Sequence, residues 1–257
     1  MAITSLSNFR AALARSTPLY LSKPASPSGT YAASLLTPGK PVAMVTPTTS
    51  LARSLSTAGS LPIPGGALNG LRLLQATIST VAPGVVVLCD LLNYQGGLVA
   101  NSVAVQTTNL PTAALTRSTD GAGVLVAVEI FASIGSGTTY TSTYVNQDGA
   151  TKTSKSSQLI STAGGVKLMS FADGDTGARS VTNFTIATST GTAGNMGILL
   201  FKPLVVLAAT AWGGLTQQDA ISGGLQLETI PSDACLFLLQ SGGRRGTAIS
   251  FNMAEDV

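Results

Sequence analysis

The sequence predicts a mainly β chain: an antiparallel β-sandwich or jelly-roll-like barrel, with an extended Pro-rich N-terminal arm and one short N-terminal helix. Three observations predict it. From about residue 68, short runs of Val, Ile, Leu, Thr and Tyr recur between Gly, Asn, Asp and Ser, the pattern of many short strands joined by turns. No long helix separates these runs, which argues for an antiparallel arrangement. Eight of the twelve prolines fall between residues 16 and 66. Pro fixes φ and removes a backbone donor, so that stretch is neither regular helix nor regular sheet throughout.

The elements follow in order. Residues 4–15 form a short helix, with Thr4 or Ser5 as its cap and Leu6, Phe9 and Leu13 at helical spacing. Arg15 near its end suits the helix dipole. Residues 16–66 read as an arm that wraps its own domain or reaches a neighbour, because Leu, Tyr, Val and Met are interspersed among the prolines. Residues 1–66 are therefore assigned to the helix and docking arm, and 67–257 to the β-sandwich domain. Strands are expected at 71–80, 85–92, 99–107, 124–134, 138–145, 165–170, 180–188, 195–201, 204–210, 224–229, 234–239 and 247–252. The run 85–92 is apolar almost throughout and suggests a central strand. Asp148-Gly149 after the 138–145 run signals a hairpin. No self-similar period of 20–50 residues appears, which disfavours a solenoid or propeller.

Composition narrows the function. Charged residues make up 10% of the 257, against about 25% in an ordinary soluble domain. A surface so poor in charge has little to hold neighbours apart, so much of it is expected to be covered by other subunits. The basic residues are scattered and Arg244-Arg245 is the only adjacent pair. That is too small a footprint for specific nucleic-acid binding. The start of the chain lacks a signal-peptide h-region. The longest apolar run, near 198–212, is broken by Lys202 and Pro203. No membrane span is expected, and the protein is expected to be made and kept in a bacterial or host cytoplasm before assembly.

The search for chemistry returns little. The chain has no histidine, which removes the commonest general base and metal ligand. Cys89 and Cys235 each sit in an apolar run and read as buried free thiols. Spacing does not settle whether they are bridged. Ser136, in Gly135-Ser136-Gly137, reads as a turn residue, not a nucleophile. Asp173 and Asp175 lie two apart in a loop, but the stretch lacks the regular oxygen spacing of a calcium loop. The pattern favours ordinary turns, with Arg179 pairing one of the two carboxylates. Asp120 also reads as a turn residue. Glu129 lies inside a predicted strand, and if buried it requires a partner, for which Arg117 is the candidate. The glycine-rich stretch 191–197 precedes a strand and offers no helix N-terminus to a phosphate. No catalytic, cofactor or metal site is expected, and no enzyme.

Four stretches are similar to one group of proteins. These are DLLNYQGGL at 90–98, QTTNLPTAALTRSTDGAG at 106–123, TYVNQDG at 143–149 and DGDTGARS at 173–180. Together they resemble a segment of uncharacterised virion structural proteins of tailed bacteriophages. The resemblance implies a particle component located in the virion, such as a head auxiliary protein, and brings no catalytic residues with it.

These readings converge on a capsid-associated decoration or cement protein that stabilises a shell by many repeated non-covalent contacts. A tail, neck or baseplate subunit of the same particle is the first alternative. A carbohydrate-binding or hydrolysing β module is the second. The expected partners are the major capsid protein or other virion proteins, together with copies of the chain itself. A trimer is expected by analogy with other decorating sandwiches. The residues expected to anchor in a partner are Phe9, Leu13, Leu19, Tyr20, Tyr31, Leu35, Leu36 and Trp212.

Overall fold

Residues 139–146 show how the sequence builds the sheets. Thr139, Thr141, Thr143 and Val145 are half-buried, while Tyr140, Ser142, Tyr144 and Asn146 are buried. The period of two puts both tyrosines on one face, where their rings join an apolar cluster. β-branched neighbours on the other face suit the pleated backbone.

A computed structural model describes residues 5–14, 16–23, 31–36, 42–54, 56–61, 71–80, 83–111, 113–209, 215–219, 229–241 and 247–255. Its elements begin with helix α1 (Leu6–Ala14), followed by β1 (Thr17–Lys23), β2 (Ala32–Ala33), β3 (Leu51–Ala52), β4 (Leu71–Thr80) and β5 (Gly84–Leu98). Next come β6 (Gln106–Leu110), β7 (Leu125–Ala132), β8 (Thr139–Asn146), β9 (Thr151–Thr153), β10 (Ser157–Gln158) and β11 (Val166–Leu168). The chain continues with β12 (Ala178–Ile186), β13 (Asn195–Ala209), β14 (Leu215–Asp219), β15 (Thr229–Ile230), β16 (Leu236–Ser241) and β17 (Thr247–Glu255). The fold is mainly β with one short N-terminal helix, as the sequence predicts. The described strand pairings are antiparallel.

Three sheets curl around two cores. The central sheet runs β11-β7-β13-β5-β16-β2, with β3 alongside β5. A second sheet has the order β1-β17-β4-β14, with β15 on β4. A third has the order β10-β8-β12-β6, with β9 on β8. One face of the central sheet packs on both small sheets. Val86, Leu88, Leu207, Leu236 and Leu238 meet Leu73, Ile78 and Ile249 of the second sheet. Further along the same strands, Leu92, Val126, Ile130, Ile198 and Leu200 meet Tyr140, Tyr144, Val181 and Phe184 of the third. Full burial of each such side chain contributes about 1.5–3 kcal/mol. The opposite face carries Cys89, Leu91, Tyr94, Ala127, Leu199, Phe201 and Phe237. It is covered by Leu35, Met44 and the half-buried Tyr31 and Leu36 of the N-terminal segment.

β5 is the central strand expected at 85–92, and it is longer because Asn93, Tyr94 and Gln95 continue the pairing with β13. The runs 195–201 and 204–210 join into the single strand β13. Register shifts on either side of Lys202-Pro203 absorb the proline without ending the strand. The expected hairpin at Asp148-Gly149 is present. β8 pairs β9, the Asn146 N–H donates to the Ala150 carbonyl, and Gly149 adopts φ 82°. The expected strand at 224–229 lies outside the described residues except for Thr229, which begins β15.

The N-terminal segment is built into these sheets. The Ser5 hydroxyl accepts the Asn8 N–H at 3.2 Å and caps α1. The helix packs Ala12, Phe9 and Leu13 on Leu74 of β4. β1 pairs β17 along its whole length. β2 pairs β16, and β3 pairs β5 at Asn93 and Tyr94. Pro47 and Thr48 pass directly over Gly96 and Gly97: a Cβ on Gly96 would lie 1.8 Å from the Pro47 carbonyl oxygen. Only glycine permits that approach.

Candidate interaction surface and buried polar pairs

The two buried carboxylates among the described residues are each held by a partner. Asp90 stands in the apolar run of β5 at the seam between the two cores and is 2% exposed. Arg117 grips it with two bonds, Nε to Oδ2 at 2.8 Å and Nη2 to Oδ1 at 3.0 Å. Arg117 also donates to Asp233 at 3.0 Å, to the Arg53 carbonyl at 2.7 Å and to the Leu91 carbonyl at 3.2 Å. The Cys235 N–H donates to Asp90 Oδ1 at 2.9 Å. One guanidinium thus ties β5, the N-terminal segment and the turn before β16 together, in the fork geometry that suits arginine. Burial pushes the Asp90 carboxyl up, and the Arg117 bonds offset part of that.

This corrects the expected partner of Glu129. Arg117 is committed to Asp90, and Glu129 instead accepts a hydrogen bond from the Tyr94 hydroxyl. Glu129 faces the covered side of the central sheet, whereas Asp90 faces the seam, so one arginine cannot serve both. Burial raises the Glu129 carboxyl from its ordinary 4.5 to about 8, and the Tyr94 bond lowers it only in part.

The loop at 171–178 brings a second correction. Arg179 pairs with neither Asp173 nor Asp175. It donates to the carbonyls of Gln147, at 2.6 and 3.1 Å, and of Asp120, at 3.2 Å. Asp173 pairs with Lys155 in an exposed bridge. Asp175 accepts from the Tyr144 hydroxyl and from Asn146 Nδ2, the latter at 2.8 Å. These two bonds hold its carboxyl below the usual range. Asp120 accepts the Ala122 N–H at 3.1 Å, as a turn residue does. Ser136 is exposed and its hydroxyl reaches the Thr190 carbonyl at 3.4 Å. Among the described residues, no group of three or more His, Cys, Asp or Glu could hold a metal ion. No described helix is long and apolar enough to cross a membrane. Cys89 and Cys235 are both buried free thiols.

The residues expected to anchor in a partner divide by burial. Tyr20, on the edge strand β1, is 60% exposed. Phe9 and Leu13 are half-buried on Leu74. Leu19 lies opposite Phe251 in the β1–β17 pairing. Tyr31, Leu35 and Leu36 cover the chain's own central sheet. Trp212 lies outside the described residues. Sequence reasoning did not single out Val42, Val45, Val103, Val105, Val206 and Leu215, which are 55–83% exposed. Their apolar character was legible, but their exposure is set by tertiary packing that no local pattern states. A groove of about 410 Å³ opens between β10 and β11, lined by Tyr31, Ile160, Leu168 and Met169 with Lys167 and Gln158. It holds no carboxylate.

In class, then, this is an antiparallel β protein whose polar pairs brace the fold and whose described surface is rich in apolar side chains. No protein-family model and no curated protein matches the chain. Two solved structures of infectious bursal disease virus, the Gx and Gt strains, align with it at TM-scores of 0.18 and 0.15 and identities of 11% and 12%. Each alignment covers 93% of this chain, and 79% and 81% of those chains respectively. Both scores lie well below the level at which two chains share a fold, so the functional reading rests on this chain's own geometry.

Proposed function

We propose that this protein is a structural subunit of a tailed-phage particle, a decoration or cement protein bound to the capsid. The observation that carries the reading is the exposure of Leu6, Tyr20, Val42, Val45, Leu51, Val103, Val105, Val206 and Leu215 on a chain with 10% charged residues. Isolated exposed apolar residues are ordinary, but such a set on a charge-poor surface fits a chain that meets neighbours over several faces. The resemblance to tailed-phage virion proteins adds to it. The proposed partners are the major capsid protein and further copies of this chain.

The test is composition of the particle. Purified particles that encode the chain are expected to contain it in a fixed ratio to the major capsid protein. Cryo-electron microscopy should show it as ordered density on the shell. Density in the tail or neck would move the reading to the corresponding subunit. Absence from purified particles, together with turnover or binding of a polysaccharide by the soluble chain, would refute it.

A further inference from the structure

The N-terminal cover over the central sheet hides a carboxyl group and two thiols together. Tyr31, Leu35, Leu36 and Met44 lie against the face that carries Cys89, Tyr94, Ala127 and Cys235, and β2 and β3 join the same segment to the sheet through β16 and β5. Glu129 projects from β7 on this face, between Ala127 and Phe131, and is 1% exposed. Its carboxyl accepts from the Tyr94 hydroxyl. The Tyr94 ring is flanked by Phe131 with centroids 5.9 Å apart and by the Arg53 guanidinium 5.9 Å from its centroid.

The titratable and charged groups on this face are few. β5 presents Tyr94 and Cys89, the segment leading into β16 presents Cys235, and the cover presents Tyr31 and Arg53. Lys167 of β11 lies opposite Val128 and so faces the other side of the sheet. Arg53 is therefore the cation at hand. It sits over the Tyr94 ring, and its buried Nε has no acceptor. A negative charge on Glu129 would find neither water nor an ion pair while the cover is closed, and burying such a charge is costly.

We propose that this cover is a proton-dependent latch: it stays closed while Glu129 is a neutral acid and lifts from the Cys89 and Cys235 thiols when Glu129 ionises. The sign follows from linkage. With its carboxyl raised from 4.5 to about 8, the closed form holds a proton that a water-exposed Glu129 would release. Closure is therefore strongest at low pH and weakens as pH climbs through that window. The opening equilibrium grows about tenfold per pH unit within it, roughly 50-fold between pH 6 and pH 8.

Thiol labelling of the native full chain tests this. Cys89 and Cys235 are 0% exposed, and burial pushes both thiols up, Cys235 to about 12, so labelling requires opening. Rates with a maleimide are measured from pH 6 to pH 8 and divided by those of the urea-unfolded chain at each pH. The normalised rate should rise about 50-fold across that range. It should change little in low urea, because opening is local. In Glu129→Gln the profile should be flat, since the amide keeps an acceptor for Tyr94 and cannot ionise. A flat wild-type profile overturns the latch whether or not the variant folds. So does an equally steep profile in a folded Glu129→Gln, or a urea dependence as steep as that of global unfolding.

Discussion

Replacing Arg117 by Met tests whether the seam between the two cores depends on one guanidinium. The side chain satisfies a carboxylate that is 2% exposed, and it ties the Arg53 and Leu91 carbonyls and Asp233 into the same junction. Methionine fills much of the volume but leaves Asp90 buried with only the Cys235 N–H as a partner. Removing one member of a buried pair costs about 3–5 kcal/mol, because the remaining charge is uncompensated. Asp233 contributes little to that sum, since its own side chain is 58% exposed. The double variant Asp90→Leu/Arg117→Met removes both charges. It should recover all but about 1–3 kcal/mol, the residual being the Cys235 N–H left without its acceptor and the Arg53 and Leu91 carbonyls left without the guanidinium. Urea unfolding of the wild type, both single variants and the double variant completes the cycle. A loss below about 1 kcal/mol in Arg117→Met, or a double variant that costs the sum of the two singles, would refute the assignment.

Three further outcomes are expected. Gly96→Ala drives a methyl group into the Pro47 carbonyl and should destabilise the fold by about 2–3 kcal/mol in urea unfolding, whereas alanine at the open Gly123 should not reproduce the steric part of that loss. Tyr144→Phe removes the hydroxyl that donates to Asp175, so the Asp175 carboxyl should rise toward its ordinary range in a carbon-detected NMR titration. The stability that Asp175 contributes above its unfolded value, and loses as pH falls through its depressed folded value, should shrink with it. Ser5→Ala deprives the Asn8 N–H of its cap and should weaken α1 by about 1 kcal/mol, read as faster amide exchange in residues 6–14 with the β-strands unchanged.

Most strands were legible because their signal is local, but the run expected at 99–107 becomes a strand only from Gln106, and β6 continues to Leu110. Alternation over 138–145 and the apolar run at 85–92 report period and burial directly. β14 was not foreseen: its sequence, LTQQD, carries no β-branched alternation, and it exists because residues 75–79 of β4 offer a row of backbone partners. β1 was missed because Pro18 argues against a strand. The position is tolerated because β1 has β17 on one side and ends the sheet on the other. The pairs were illegible for a different reason. Asp90 and Arg117 are 27 residues apart, and nothing in the intervening sequence states which face of β5 the arginine will reach. An acid standing in VVVLCDLL could have been flagged as needing a cation. The same blindness gave Arg179 the wrong partner, since two carboxylates close in sequence outweighed two carbonyls close in space.

Some of the few charges are used inside the fold. Asp90 and Arg117 neutralise one another at the seam, and Glu129 spends its polarity on Tyr94 beneath the cover. The carboxylates that do reach solvent near residue 173 are partly matched, Asp173 by Lys155. Meanwhile the described exterior presents valines at 42, 45, 103, 105 and 206. A solitary soluble protein keeps its neighbours at a distance by surface charge. A chain with few charges and with valines on its described exterior fits the proposed reading of a subunit that meets neighbours. Repeated contacts suit it, because each exposed valine contributes little alone and symmetry multiplies it. Among the described residues, the two acids with the most unusual surroundings, Asp90 and Glu129, are the two that the fold closes off.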